Sequence, residues 1–194
     1  EREPTPVLIY TEAATRPVSH GAVDFAIAAM PSPPSGLCAE RIAVDRFFCV
    51  YPPGHRFERS SRLTWADFDG EPFVAFDEAS SIRAYVDRAL QTAGVGLGSI
   101  TEARDIGAVA GLTAAGLGVS IVPGLVVPMV RFAGVRAKVL HAPVLERGIC
   151  LFYDPARPLT QAASDLMDAL RQAAGHGFSL PKGARWAMRD NRGS

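Results

Sequence analysis

Between Pro72 and Pro123 the chain alternates short apolar runs with helical patterns closed by glycine, and this alternation limits the possible folds more than any other feature. PFVAF reads as a strand. SSIRAYVDRALQTAG places Ile82, Tyr85, Val86, Ala89 and Leu90 on one face of a helix that starts at Ser80 or Ser81 and ends at Gly94. DIGAVAGLTAAG is a smaller helix opened by Asp105 and closed by Gly116, and GVSIVP is the strand that follows it. Gly116 and Gly118 are expected to turn the chain sharply after this helix and to bring its backbone close to the sheet. Strands interleaved with helices in this way argue for α/β layers built on parallel sheets.

The flanking segments supply more strands than one sheet of this kind needs. PVLIY and VDFAIAAM are apolar runs of the fully buried type, separated by room for about a turn and a half of helix from Thr15 to Gly21. PSPPSG is a loop, and RIAVDRFFCVYPPGHRF is a long extended segment closed by Pro52, Pro53 and Gly54. LTWADFDGEP carries a helix start, with Thr64 as N-cap, Asp67 at the capping-box position and Leu63 against Phe68 as a staple, enough for a single turn. VRAKVLHAP and RGICLFYDP are extended, and LTQAASDLMDALRQAA is an amphipathic helix with Ala163, Leu166, Met167 and Leu170 on one face.

Two strands before Pro52 cannot by themselves bury the last strand and helix, so the chain is expected to return at its end to complete its first unit. This gives one subdomain from residues 1–46 plus 150–178, a second from 47–149, and a loosely docked tail over 179–194. The crossings fall near Asp45 to Val50 and near Ile149 to Tyr153.

Composition narrows the function. Of 194 residues, 48% are hydrophobic, enough for one large or two small cores. Twenty basic residues balance twenty acidic ones, and only Lys138 and Lys182 are lysines, so no net field draws a phosphate backbone and direct nucleic-acid binding by this segment is not expected. No apolar stretch has the length of a membrane span, and the start is no signal peptide. Cys38, Cys49 and Cys150 are odd in number and far apart, which suggests neither a zinc site nor a disulfide framework and is simplest in a reducing cytoplasm. No cofactor or metal is expected. There is no G-x-S-x-G elbow and no H-E-x-x-H; His20, His55, His141 and His176 stand apart from carboxylates and cysteines, and GVGLGSI follows a helix where a dinucleotide fingerprint would follow a strand. An enzyme is therefore not expected.

VDFAIAAMPSPPSGL, FFCVYPPGHRF, LTWADFDGEPFVAFDEASSIRAYVDRAL and LTAAGLGVSIVP, in that order and spacing, resemble the effector-binding domain of LysR-type transcriptional regulators from about Pro6 to Ala174. The resemblance implies two Rossmann-like subdomains joined by two crossing strands, similar to type 2 periplasmic-binding proteins, with a small effector held between them. It also implies pairing into homodimers or tetramers and contact with DNA only through an N-terminal winged helix-turn-helix that this sequence does not contain. The first strand and helix of the effector domain are not present either, and Glu12 to Asp24 is about one helical turn short of the family pattern. A parallel sheet lacking its first strand would leave an open apolar edge, so residues are expected to be missing near Thr15 and before Glu1.

In open α/β sheets ligands collect at the carboxyl ends of strands, where helix N-termini converge. Thr15, at the end of LIYTEAAT, matches the family position whose hydroxyl faces the effector; equally, it is a threonine that caps the next helix. Ser80 and Ser81 offer hydroxyls and backbone N–H groups to a carboxylate, or act as plain N-caps. Ala79 and Ile82 flank that helix start, and Ile106 and Gly107 open the second helix, with Val109 better placed in the core. Pro123 is similar to the family's strand-end proline, while Phe76 offers an apolar wall, although core packing explains it more simply. Arg83 and Arg104 are the cations adjacent to this set. His55, in PPGHRF, reads as a structural turn residue. A small carboxylate or aromatic acid is the effector class suggested by the helix N-termini and the resemblance. A solute-binding protein of a transporter shares the two-lobe logic and stays open as an alternative.

Overall fold

The computed structural model describes residues 15–29, 34–175 and 178–187. The expected strand PVLIY lies outside them. The chain divides into two compact units, the first comprising residues 1–44, 147–180 and 185–194 and the second 45–146 with 181–184. Two strands carry the chain from one unit to the other: β2 (Cys38–Tyr51), which enters the second unit at Asp45, and β8 (Glu146–Tyr153), which leaves it after Glu146.

In the second unit, β4 (Phe73–Phe76) pairs in parallel with β5 (Ile100–Ala103), Phe76 lying opposite Ala103. A parallel bridge from Phe73 to Val119 joins β4 to the start of β6 (Ser120–Pro123). β6 then runs antiparallel to β2, with Cys49 opposite Ile121, and β2 runs antiparallel to β7 (Arg136–His141). The two-residue β3 (Leu63–Thr64) closes the far side in parallel with β7. Every residue of β4 and β6 is buried, which explains why, Ser120 apart, both read as apolar runs.

Helix α2 (Ser81–Ala93) follows β4, and its ends are those the sequence encodes. The Ser80 hydroxyl accepts the Ile82 N–H at 3.3 Å, and Gly94 takes the left-handed conformation at φ 67°. Ile82, Val86, Ala89 and Leu90 are buried and Tyr85 is half-buried. Helix α3 (Ile106–Ala114) starts when the Asp105 carboxylate accepts the Ala108 N–H at 2.8 Å. It ends at Gly116, whose φ of 81° turns the chain back. Gly118 then passes so near β4 that a Cβ on it would stand 2.5 Å from the Pro72 carbonyl oxygen. Both glycines thus perform the roles the sequence suggested. The short helix α4 (Val127–Val130) packs on the same unit.

The predicted turn at Trp65–Phe68 is a single 3-10 turn. The Asp67 carboxylate accepts the Thr64 backbone N–H at 2.7 Å and the Thr64 hydroxyl at 2.8 Å, which is the reaching-back half of a capping box. Trp65 and Phe68 drop from this turn into an aromatic core with Phe47, Tyr51, Phe57 and Phe73, and the Trp65 indole N–H is satisfied by the Pro143 carbonyl at 2.9 Å.

In the first unit, α1 (Thr15–Ser19) precedes β1 (Phe25–Ala28), which runs antiparallel to β8 with Ala28 opposite Cys150, and β8 in turn neighbours β2. β1 is not buried on both faces as expected: Ala26 and Ala28 are buried, but Phe25 and Ile27 are only half-buried, the alternation of a one-sided strand. Helix α5 (Gln161–Gly175) buries Ala163 and Met167, but Leu166 is 44% exposed, a correction to its expected face. At about 100° per residue, Leu166 sits about 60° to one side of the stripe through residues 163, 167 and 170. Two further differences concern strands. β5 was not foreseen, and Ala184–Trp186, inside the expected loose tail, forms β9 against β2. The Arg46 N–H donates to Gly183 O at 3.0 Å and the Ala187 N–H to Ile42 O at 2.9 Å, so backbone pairing holds a segment whose side chains show no period.

Candidate functional site

Because β4, β5 and β6 run in the same direction, their carboxyl ends at Phe76, Ala103 and Pro123 share one edge of the second unit's sheet. Two of these ends lead directly into the starts of α2 and α3. The topology therefore brings Phe76, Ala79, Ser80, Ser81, Ile82, Ile106, Gly107 and Pro123 to a single edge. Ala79 and Gly107 are exposed, Ser80, Ser81 and Ile106 are half-buried, and Phe76, Ile82 and Pro123 are buried. Phe76 belongs to the hydrophobic core and is 5% exposed, which favours its packing role; Val109 is fully buried, as expected of a core residue.

Thr15 belongs to the other unit. It is the first residue of α1, is 3% exposed, and its carbonyl accepts the Ser19 hydroxyl at 3.2 Å. The strand expected to end at Thr15 lies outside the described residues.

Of the two candidate cations, Arg83 is committed within the protein. Its Nη1 donates to the Phe76 carbonyl at 3.0 Å and to Glu102 Oε1 at 2.8 Å, and its Nε donates to Asp87 Oδ2 at 2.7 Å. It thereby ties the first turn of α2 to the ends of β4 and β5. The hydrogen bond to Glu102 is the main cause that raises the guanidinium pKa further. Arg104 is exposed.

No group of three or more His, Cys, Asp or Glu side chains suited to a metal occurs among the described residues. Cys38, Cys49 and Cys150 are free thiols, and burial pushes the Cys49 thiol well above its usual pKa, which suppresses the nucleophilic thiolate. His55 is the turn residue the sequence suggested: its Nδ1 accepts the Phe57 N–H at 3.3 Å, and its ring packs 4.5 Å from that of Phe57. No helix among the described residues is long and apolar enough to cross a membrane.

Residues 7–175 match the family described as the LysR substrate binding domain. The chain belongs to that family. Among curated relatives, the uncharacterized HTH-type transcriptional regulator YfeR of Shigella flexneri is 30% identical over 79% of this chain and 50% of its own length. The transcriptional activator protein LysR of Escherichia coli K12 is 29% identical over 67% of this chain and 42% of its own. The chain thus spans half or less of the length of these relatives. Among solved structures, a reduced form of OxyR from N. meningitidis superposes with a TM-score of 0.74 at 21% identity, over 92% of this chain and 82% of that one. The effector binding domain of QuiR in complex with shikimate gives 0.75 at 18% identity, over 87% and 80%. At these identities the likeness carries the fold, a mixed α/β architecture of the type 2 periplasmic-binding-protein kind.

Within this LysR substrate-binding domain, sequence reasoning placed both helix caps and missed Glu102 and Asp87 as partners of Arg83. Asp87 stands four residues after Arg83 on the same helix, a spacing that signals a pair. Glu102 is brought to Arg83 only by the β4–β5 pairing, which the sequence did not disclose.

Proposed function

We propose that this chain is the ligand-sensing part of a bacterial transcription regulator, which binds a small-molecule effector and passes the change to a DNA-binding domain outside this sequence. The observation that carries the reading is the family match over residues 7–175, supported by relatives named as transcriptional regulators. A ligand shifts such a protein only by binding one of its states better than another, so the effector's differential affinity is the signal. On the second unit the proposed contacts are Ala79, Ser80, Ser81, Ile82, Ile106, Gly107 and Pro123, with Phe76 behind them; on the first unit the proposed contact is Thr15. The reading is non-enzymatic and cytoplasmic. Self-association as a dimer or tetramer, with α2 of one copy against first-unit elements of another, completes it. The transporter alternative finds no support in these relatives.

The test is a thermal-shift screen of the chain against small carboxylic acids, shikimate, amino acids and aromatic acids, with Thr15→Val and Ser81→Ala beside the parent. A compound that raises the melting temperature of the parent and loses most of that effect in both variants is the expected outcome. Equal stabilisation of all three chains would move the site elsewhere, and a panel without any hit would remove the support for sensing of these classes.

A further inference from the structure

Resting on the sensing reading above, we infer that the second unit's share of the site receives an uncharged part of the effector, and that Arg83 is a positioning residue there and not a clamp for an anion. Three observations at the shared strand edge lead to this. First, the Arg83 guanidinium at that edge is already engaged by two carboxylates and a carbonyl: Glu102 and the Phe76 carbonyl accept from Nη1, Asp87 accepts from Nε, and the side chain is 17% exposed. A ligand carboxylate would meet a positive charge that two protein carboxylates already offset. Second, the start of α3 carries its own anion. The Asp105 carboxylate accepts the Ala108 N–H, and its charge already answers the positive end of the helix and repels a second carboxylate. Third, the start of α2 is capped by the neutral Ser80 hydroxyl, but the loop leading to it supplies Asp77 and Glu78, which with Glu102 and Asp105 outnumber Arg83 and Arg104. What the edge still presents to a ligand is the half-buried side chain of Ile106 and the exposed backbone about Gly107. These suit a hydroxyl, amide or hydrocarbon portion of a small molecule, so any acid group of the effector is held by other residues.

The same three hydrogen bonds give Arg83 its task. Those to the Phe76 carbonyl and to Glu102 fix the first turn of α2 against the ends of β4 and β5, and that to Asp87 holds the guanidinium along α2. Removing the partners of Arg83 is therefore expected to create an anion site where the native chain has none. The experiment follows backbone amides by NMR in the full chain as sodium acetate replaces sodium chloride at constant ionic strength, with acetate as the probe. In the native chain, amides 80–83 and 105–108 are expected to show no saturable shift. In the isosteric Asp87→Asn/Glu102→Gln variant, and more weakly in Glu102→Gln alone, saturable shifts at 80–83 are expected from the freed charge. Saturable acetate binding at either helix start of the native chain would overturn the inference, and so would variants that keep the native Trp65 emission yet gain no site. Because no effector is present, this outcome is separate from that of the ligand screen.

Discussion

The two units build their interiors from different materials. The second packs Phe47, Tyr51, Phe57, Trp65, Phe68 and Phe73 into one cluster with the strands β2, β4 and β6, and ring centroids fall 5.5 Å apart for Phe57 and Phe68 and 6.3 Å for Phe68 and Phe73. The first, among the described residues, gathers Val18, Ala26, Ala28, Leu37, Cys150 and Phe152, with one aromatic ring. Large rings bury far more apolar area per residue than alanine and valine, so truncations in the second unit remove more stabilisation. The difference also bears on the proposed site. The strand edge that presents Ser80, Ser81 and Ile106 stands on the aromatic unit, so its geometry is held by packing as well as by hydrogen bonds.

The two tryptophans make this contrast measurable, since Trp65 belongs to the second unit and Trp186 to the first. The largest effect is expected from Trp65→Ala, which empties a fully buried site and strands the Pro143 carbonyl that accepts its indole N–H. A loss of about 3–5 kcal/mol in chemical denaturation followed by circular dichroism is expected. A loss below about 1 kcal/mol would mean that the aromatic cluster does not dominate the second unit's stability. Next in size is Gly118→Ala. Its methyl group would meet Pro72 O at 2.5 Å, Pro72 C at 2.7 Å and Phe73 N at 2.8 Å, all backbone atoms that cannot swing aside. A cost of about 1–3 kcal/mol follows from forcing β6 away from β4. It should appear first in Trp65 emission; a shift confined to Trp186 would place the coupling in the wrong unit.

The same contrast separates what was legible in the sequence from what was not. Helix α2 carries its whole specification locally: a serine cap, an apolar stripe at helical spacing and a glycine stop, each found where the sequence put it. The expected site residues on the second unit gather at one edge because β4 and β6 run parallel, and the strand–helix alternation implied that direction. β5 was not legible, because Ile100–Ala103 buries only Ala103 and is held to β4 by backbone bonds that leave no side-chain pattern. β9 escaped for the same reason. The commitment of Arg83 escaped as well, since Glu102 reaches it across that unseen pairing, 19 residues along the chain. Hydrophobic periodicity reports which face is buried and is silent on pairing at a sheet's edge.

The smallest effect tests whether α3 is tuned by packing or merely tolerated. Gly111 lies on the exposed side of the helix, and a Cβ there would meet nothing within 4 Å, in contrast to Gly118 seven residues later. Ala in a helix interior is favoured over Gly because it loses less backbone freedom on folding, so Gly111→Ala should stabilise the second unit by about 0.5–1 kcal/mol. The pair then isolates space from propensity: both substitutions add the same methyl group, one at an exposed helical position and one against the Pro72–Phe73 backbone, and they should move the Trp65 transition in opposite directions. If Gly111→Ala is destabilising instead, a cost that neither the open space at this position nor the helix propensity predicts outweighs the propensity gain.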